Sequence, residues 1–284
     1  MRQPQRQKAA RERGYGLVEM LVAFTVMSIV IAVSFMALTR SQSQTASVTS
    51  VAEERQMART AIQLLEREAR MAGSGWGRNT VYTGGGASMQ AVNPQYGGAA
   101  RNDSLVLLGA WMASTTTTAA VATENSNIAC ASVSGINVND LVLLIEKSNN
   151  STHMFQVTTV NTGTNTLSVS NASSYNVGHT NWPPGGFGTG SYLYKATIST
   201  YAFDSTTFRR PSLVRRENYG TPSVVAYNVD GFRVYYELQD GTKTRNPATM
   251  DMVDKIEPVV LTRTSNRGRT LRDSVWASVR PRTF

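Results

Sequence analysis

Cysteine is nearly absent from this chain of 284 residues, which contains Cys130 and no other thiol. A single cysteine excludes an internal disulfide, so the fold has to be held together by a hydrophobic core. Cys130 lies in the apolar run 128–131, which favours a buried structural thiol over a reactive one. The two histidines, His153 and His179, have no second ligand at a metal-binding spacing, so the sequence predicts no metal site and no cofactor.

Proline is absent between Pro4 and Pro94, and glycine is absent between Gly16 and Gly73. These residues are the strongest helix breakers, so their absence predicts one helix over residues 15–72. At the standard rise this helix is about 87 Å long. Gly73 directly after it is a natural C-cap.

Charge is absent from Leu17–Leu38 except at Glu19. These 22 residues form a helix long enough for the roughly 30 Å core of a bilayer. Residues 1–14 carry a net charge of +4, five basic residues against Glu12, and basic flanks stay cytoplasmic. The rest of the chain is therefore predicted to cross to the outside. A cleaved secretory signal peptide would have a shorter apolar region, followed by small residues at its cleavage site.

Glu19 is the one charged residue within the apolar segment Leu17–Leu38, and its presence there needs an explanation. An ionisable side chain within an apolar segment costs on the order of 2–3 kcal/mol near the helix centre and is usually functional. The competing interpretation places Glu19 near the membrane surface, where its carboxylate reaches the water.

The second half of the predicted helix is amphipathic. Its apolar stripe consists of Val51, Ala58, Ile62, Leu65, Ala69 and Ala72, widened by Met57, Ala61, Leu64 and Met71. The opposite face carries Glu53, Glu54, Arg59, Glu66, Arg67 and Arg70. This spacing predicts a helix that lays one face on a globular domain and leaves the other in water. A coiled-coil partner is the alternative.

The chain after the helix has the pattern of β structure. Gly73–Asn102 is glycine-rich and is predicted to be a loop. The predicted strands are Ser104–Ala110, Asp140–Glu146, His153–Val160, Thr166–Val169, Tyr192–Phe203, Ser212–Arg216, Val253–Thr262 and Ser274–Val279. Gly231–Arg245 alternates in polarity around Asp240-Gly241, which predicts a hairpin with a type I′ turn. The predicted fold class is α+β, a long helix packed on a C-terminal antiparallel β-sheet domain.

No catalytic constellation is present in the sequence, which predicts a protein that is not an enzyme. Gly186–Gly190 superficially resembles a nucleotide loop, but it follows Pro183-Pro184 and opens no helix, so a flexible loop is the better interpretation. The basic residues form two clusters, Arg209, Arg210, Arg215 and Arg216, and then Arg263, Arg267, Arg269, Arg272, Arg280 and Arg282. Aromatic residues do not interleave with them, which argues against nucleic-acid binding and leaves a solvated face or an acidic neighbour.

Gly14, Tyr15 and Glu19 together resemble the class III signal of type IV pilins. That signal has a basic leader, a glycine at the cut, an N-methylated aromatic residue and a glutamate at the fifth mature position. The resemblance implies that a prepilin peptidase cuts after Gly14 and that Tyr15 is then methylated. Phenylalanine is the usual first mature residue, so Tyr15 departs from the pattern. Glu19 would pair with a neighbouring subunit's N-terminus and set the axial register.

Further segments are similar to the PilW family of minor pilins. They are Ala58–Gly77, Asp103–Leu105, Asn139–Leu143, Met154–Thr158, Pro211–Arg216 and Val229–Tyr236. The resemblance implies a type IV pilin-like fold with a cleaved leader at 1–14, a helix at 15–72 and a periplasmic β domain at 73–284. The family often carries cysteines that this chain lacks.

The resemblance also implies a function, that of a minor pilin in the complex that primes assembly or caps the pilus tip. The implied partners are other minor and major pilins, the prepilin peptidase, the inner-membrane assembly platform and a tip adhesin. The implied location is the inner membrane and then the pilus. Two alternatives stay open: a minor pseudopilin of a type II secretion system, and a membrane-anchored envelope enzyme or binding module with an accidental signal pattern.

Overall fold

The computed structural model describes residues 16–77, 79–99, 102–110, 114–208, 210–266 and 269–281. The chain divides into two compact units, Met1–Ala52 and Glu53–Phe284. Helix α1 spans Leu17–Met71 and contributes residues to both units. Its ends lie within two residues of those predicted from the missing prolines and glycines, and Gly73 follows it with a φ of +76°.

The part of α1 in the first unit is apolar over its N-terminal turns and rich in hydroxyl side chains after them. Hydroxyls in both stretches donate to backbone carbonyls three or four residues earlier, as Ser28 does to Phe24 and Thr45 to Ser41. This bonding pattern hides a polar group within the helix itself. The hydroxyls at Thr25 and Ser28 are therefore compatible with apolar surroundings.

The part of α1 in the second unit packs one face into the domain core. Ala58, Ala61, Ile62, Leu65 and Ala69 are at most 3 % exposed, which confirms the stripe predicted over this stretch.

One residue that was predicted to lie on the solvent-exposed face of α1 is buried. Glu54 is buried, and its Oε1 accepts a hydrogen bond of 2.6 Å from Asn228 Nδ2. The prediction for Glu54 was wrong because this bond depends on a residue far away in the chain.

The strands are numbered in chain order. They are β1 (Val81–Tyr82), β2 (Ser88–Met89), β3 (Val92–Gln95), β4 (Ser104–Gly109), β5 (Ser114–Thr116), β6 (Ile128–Ala129), β7 (Leu141–Ile145), β8 (Thr152–Gln156), β9 (Thr159–Asn161), β10 (Thr166–Ser168), β11 (Tyr192–Asp204), β12 (Ser212–Glu217), β13 (Ser223–Tyr227), β14 (Val229–Leu238), β15 (Lys243–Thr244), β16 (Val253–Asn266) and β17 (Arg269–Trp276).

The largest sheet is organised around β11. The N-terminal part of β11 pairs with β5 and β7, and its C-terminal part pairs with β4 and β12. The order β13-β12-β11-β7-β8-β1-β2 forms the main path, and β3 pairs with β4. These ladders are antiparallel except for β1 and β8, which run parallel. Within the described residues, the long apolar strand β11 thus joins what would otherwise be two small sheets.

Two smaller sheets complete the domain within the described ranges. One has the order β6-β10-β9, and the other has the order β15-β14-β16-β17. The main core lies between α1 and the strands, and Leu65, Leu107 and Phe232 are among its buried members. A second core cluster contains Cys130, Phe155 and Phe187. One long helix followed by a mostly β domain is therefore the observed architecture.

The Asp240-Gly241 hairpin forms, but with a different turn. Leu238 and Thr242 bound a three-residue loop, in which Gly241 N donates to Leu238 O at 2.9 Å. Gly241 has a φ of +83°, whereas Asp240 is not among the residues with positive φ. A type I′ turn needs positive φ at both central positions, so that prediction was wrong. The turn is of type I, followed by a glycine bulge.

The predicted loop Gly73–Asn102 contains three short strands, β1 to β3. β1 and β2 pair with each other, and β3 pairs with the next strand, β4. β1 also pairs with β8, about 70 residues further along the chain, and local composition could not reveal that partner. The predicted strand His153–Val160 is interrupted at residues 157–158, and its two parts, β8 and β9, belong to different sheets.

Candidate functional site

The N-terminal end of α1 carries the residue that the sequence singles out. Gly14 and Tyr15 lie outside the described residues, which begin at Gly16. Glu19 is the third residue of the helix, and its Oε2 accepts from the Gly16 backbone N–H at 3.4 Å. Gly16 O accepts in turn from the backbone N–H groups of Glu19 and Met20. This is the glutamate half of a capping box, in which a carboxylate at the third helical position reaches back to the helix start.

The bond from Gly16 to Glu19 is long and engages one carboxylate oxygen. A carboxylate has about four acceptor positions, so most of the acceptor capacity of Glu19 is unused by the described residues. Its helical face continues with Val22, Ala23, Val26 and Met27, all apolar. The geometry therefore places a charged acceptor at the end of an apolar stripe.

The large apolar side chains of the N-terminal half of α1 are exposed throughout. They are Leu17, Val18, Met20, Leu21, Val22, Phe24, Val26, Met27, Ile29, Val30, Ile31, Val33, Phe35, Met36 and Leu38. The mean hydropathy reaches 2.5 over 18 residues, and this helix is long and apolar enough to cross a membrane. Such a surface is stable only in lipid or against other apolar helices. The segment therefore fits membrane anchoring.

A buried polar network that the sequence pattern did not reveal lies in the second unit. Glu68 on α1 is 4 % exposed and accepts from Tyr201 Oη at 2.8 Å. Arg215 Nη2 lies 2.8 Å from the other oxygen of Glu68 and 3.1 Å from Ser199 Oγ. Burial opposes the charge of Arg215, but its bonds to Glu68 outweigh this and raise the pKa of the guanidinium. The network ties α1 to β11 and β12.

Some arginines of the predicted basic clusters have acidic partners within the fold. Arg263 and Arg272 both lie beside Asp230, and Arg280 pairs with Asp254 at 2.6 Å. Arg209, Arg267 and Arg282 lie outside the described residues. Since Arg215, Arg263, Arg272 and Arg280 have acidic partners on other elements, the charge pattern of the sequence overstates this part of the basic surface.

The remaining candidate side chains lie in the second core cluster. Cys130 is 3 % exposed, which confirms the predicted burial of this thiol, and burial raises its pKa to about 11. His153 and His179, far apart in sequence, are brought together with their Nδ1 atoms 3.0 Å apart. No group of three or more metal-ligating side chains occurs among the described residues.

Gly186–Gly190 is held more tightly than the predicted flexible loop. Val121 and Phe187 exchange two backbone hydrogen bonds, and Gly188 N donates to Glu146 Oε2 at 2.6 Å. The loop leads into strand β11 rather than a helix, as predicted from its sequence. The geometry thus gives this loop a packing role.

The N-terminal site also matches a known family model. The model of the prokaryotic N-terminal methylation motif matches residues 9–35, which are 27 of the 284 residues and include Gly14, Tyr15 and Glu19. No curated protein and no solved structure matches the chain. The chain therefore carries a prepilin-like signal, which suggests a pilin or a pseudopilin associated with a membrane.

Proposed function

We propose that the chain is a minor pilin of a type IV pilus that acts in the complex that primes assembly or caps the tip. The observation that carries this proposal is the methylation motif over residues 9–35, directly followed by an exposed apolar helix and a β domain. The role is structural, and it needs no catalytic group and no cofactor. The β domain contacts other minor pilins, with a tip adhesin as a further partner.

Processing prepares the N-terminus for assembly. The prepilin peptidase cuts after Gly14, and the new amine of Tyr15 is methylated on the cytoplasmic side. The basic leader keeps that end in the cytoplasm, so the β domain lies in the periplasm until the assembly platform moves the subunit into the pilus.

Glu19 positions the subunit within the filament. Its carboxylate uses one long bond to Gly16 in the single chain, and the strong cation it lacks is the N-terminal ammonium of a neighbouring subunit. In apolar surroundings such a pair is favourable only when the two charges meet closely. The pairing therefore sets the axial register between subunits.

The assignment to the PilW family rests on the sequence resemblance of Ala58–Gly77 and the strand segments. A minor pseudopilin of a type II secretion system is the second candidate, since the same N-terminal signal precedes both kinds of subunit. The two candidates differ in where the processed chain is found.

Mass spectrometry of N-terminal peptides tests the proposal. Sheared surface fibres and the inner-membrane fraction are analysed in parallel. A peptide that begins at N-methylated Tyr15 in the fibres is the expected result. The same peptide confined to membranes favours the pseudopilin, and an N-terminus still at Met1 refutes both candidates.

Two variants separate processing from assembly. We expect Gly14→Glu to block cleavage and to leave the full mass unchanged. Glu19→Ala should be cleaved, yet its incorporation into fibres should fall at least tenfold, because the register pair is lost. Normal incorporation of Glu19→Ala contradicts the pairing and leaves the pilin assignment intact.

A further inference from the structure

The two histidines form a buried pair at the edge of the second core cluster. His153 on β8 is fully buried, and its Nδ1 lies 3.0 Å from Nδ1 of His179. Aromatic rings surround the pair, with centroids 4.6–5.4 Å from one histidine or the other: Tyr82, Phe155, Trp182 and Phe187. The pair therefore lies in an environment that disfavours charge.

The hydrogen bonds assign the protons of the neutral pair. His179 Nε2 lies 2.9 Å from Tyr175 O, and a carbonyl can only accept, so this nitrogen carries a proton. Nδ1 of a neutral His179 is then a bare acceptor, and the proton between the rings belongs to His153 Nδ1. It follows that His153 Nε2 carries no proton at neutral pH.

That remaining nitrogen is left without a hydrogen bond. His153 Nε2 is buried and has no partner among the described residues, while the Asn181 backbone beside the ring favours its protonated form. A proton added at Nε2 would bring a charge into the aromatic cluster. Protonation of the pair would therefore be unfavourable in the closed fold, because it places a charge among packed aromatic rings.

The charged groups that face the pair are few. Glu124 Oε2 accepts from His179 N at 2.8 Å, and its charge raises the pKa of both imidazoles. Tyr82 on β1 and Tyr175 before His179 also border the pair, but phenols stay neutral in this pH range. Burial is the larger influence, and it lowers the pKa of His153 to about 4 and the pKa of His179 as well.

The segment that contains His179 closes over the cluster. This strap, residues 173–190, is held to β8 by Asn176, whose Oδ1 and Nδ2 bond to the backbone of Gln156 at 2.8 and 2.9 Å. Trp182 Nε1 donates to Ala122 O at 3.1 Å, and Phe187 pairs with Val121. The histidine pair lies between these attachments, and its imidazoles titrate near physiological pH once they are exposed to water.

We propose that His153 and His179 form an acid-sensitive latch that keeps the strap closed at neutral pH and releases it on acidification, exposing the aromatic cluster. The inference does not depend on the proposed function. The trigger is the entry of a proton into the pair, and the responding element is the strap.

The direction of the pH effect on strap opening follows from the difference in the pKa of His153 between the open and the closed form. An exposed imidazole has a pKa of about 6.5, whereas the folded state lowers that of His153 to about 4, so the open strap binds more protons between these values. The closed form is fully favoured above pH 7 and loses stability as the pH falls toward 4. From His153 alone, the opening equilibrium at pH 5 should rise about 30-fold over that at pH 7.5.

Hydrogen exchange of the full chain in detergent micelles tests the latch. Exchange at pH 5.0 and 7.5 is corrected for intrinsic rates, and peptides from 173–190 are compared with peptides from β14. We expect the strap peptides to lose about 30-fold in protection at pH 5.0 while β14 changes little. Equal protection of the strap at both pH values, or an equal loss in β14, overturns the proposal.

Two variants and a second measurement sharpen the test. His153→Phe keeps a ring without a titrating group and should remove the part of the pH dependence that His153 contributes, whereas Glu124→Gln removes a charge that favours the imidazolium in the closed strap and should move the opening to a higher pH. Proton NMR of the two histidines in the unmodified chain decides the question if His153→Phe does not fold. Titration of His153 near pH 6.5 overturns the latch, as does Zn²⁺ raising the protection of the strap at pH 7.5, which would indicate a metal between the Nδ1 atoms.

Discussion

At the scale of single residues, the buried carboxylate of Glu68 is the clearest case of a side chain whose role depends on distant partners. In the sequence it lies between Arg67 and Ala69, in a run that mixes charged and apolar residues. In the fold it binds Tyr201 and Arg215, which are more than 130 positions away. The position of a glutamate at the edge of a helical stripe does not predict these partners.

Removing the charge of Glu68 should destabilise the domain strongly. Glu68→Gln leaves the partly buried Arg215 with the exposed Glu217 as its remaining carboxylate partner, which should cost roughly 3 kcal/mol. Tyr201→Phe removes one hydrogen bond to a charged group and should cost about 1.5 kcal/mol. Urea unfolding of the full chain in micelles, followed by circular dichroism, measures both.

Glu66→Gln is the matched control. Glu66 pairs with Arg70 one turn away on the exposed face of the same helix, so its loss should cost at most about 0.5 kcal/mol. Equal effects of Glu66→Gln and Glu68→Gln would show that the buried network contributes no special stability.

At the scale of elements, α1 and the long strands follow from local patterns. Missing prolines and glycines predict the helix, and apolar runs predict β4, β7 and β11 to within about two residues. The strands that pattern did not predict are short, such as β1, β5 and β6, and they are extended because a neighbouring strand supplies their hydrogen bonds.

The loop before β11 offers an element-scale prediction. A Cβ on Gly186 would lie 2.2 Å from Val121 O, whereas a Cβ on Gly185 would meet nothing within 4 Å. Both residues have positive φ, so the strain of an alanine at this φ is common to the two. Gly185→Ala should cost about 1 kcal/mol, and Gly186→Ala about 3 kcal/mol, because it also separates Phe187 from Val121.

Thermal unfolding of the two variants in parallel checks this difference. Exchange of the Val121 and Phe187 amides should rise in Gly186→Ala and stay unchanged in Gly185→Ala. A Gly186→Ala protein as stable as the Gly185→Ala protein would contradict the packing role of the loop.

At the scale of the whole molecule, the second compact unit begins inside the helix, at Glu53. The predicted boundaries between leader and helix, at 14/15, and between helix and β domain, at 72/73, stay predictions. The core itself includes helix residues, since Ile62 and Leu65 are buried with the strands.

A fragment of residues 53–284 should therefore fold without the apolar half-helix, and a fragment of residues 73–284 should not. The helix residues Ala58, Ala61, Ile62, Leu65 and Ala69 contribute roughly 6 kcal/mol of apolar burial, which is comparable to the whole stability of a typical domain. Circular dichroism and a cooperative urea transition distinguish the two fragments. A cooperative transition in the 73–284 fragment would show that the helix face is dispensable.

The sequence by itself determined the features that depend on neighbouring residues or on bulk composition. The prepilin-like signal, the apolar half-helix, the packing stripe and the alternating strands are all local, because helix and strand periodicity and bilayer thickness act on contiguous residues. The same logic predicted the buried thiol of Cys130 from its apolar run.

The tertiary structure alone decided which distant polar groups meet. The burial of Glu54 and Glu68, the contacts of Arg263 and Arg272 with Asp230, and the contact between His153 and His179 all join separate elements. A buried polar group must find a partner, but which partner it finds depends on the order in which the strands pair. That order is set by burial summed over the whole chain, which no local pattern contains.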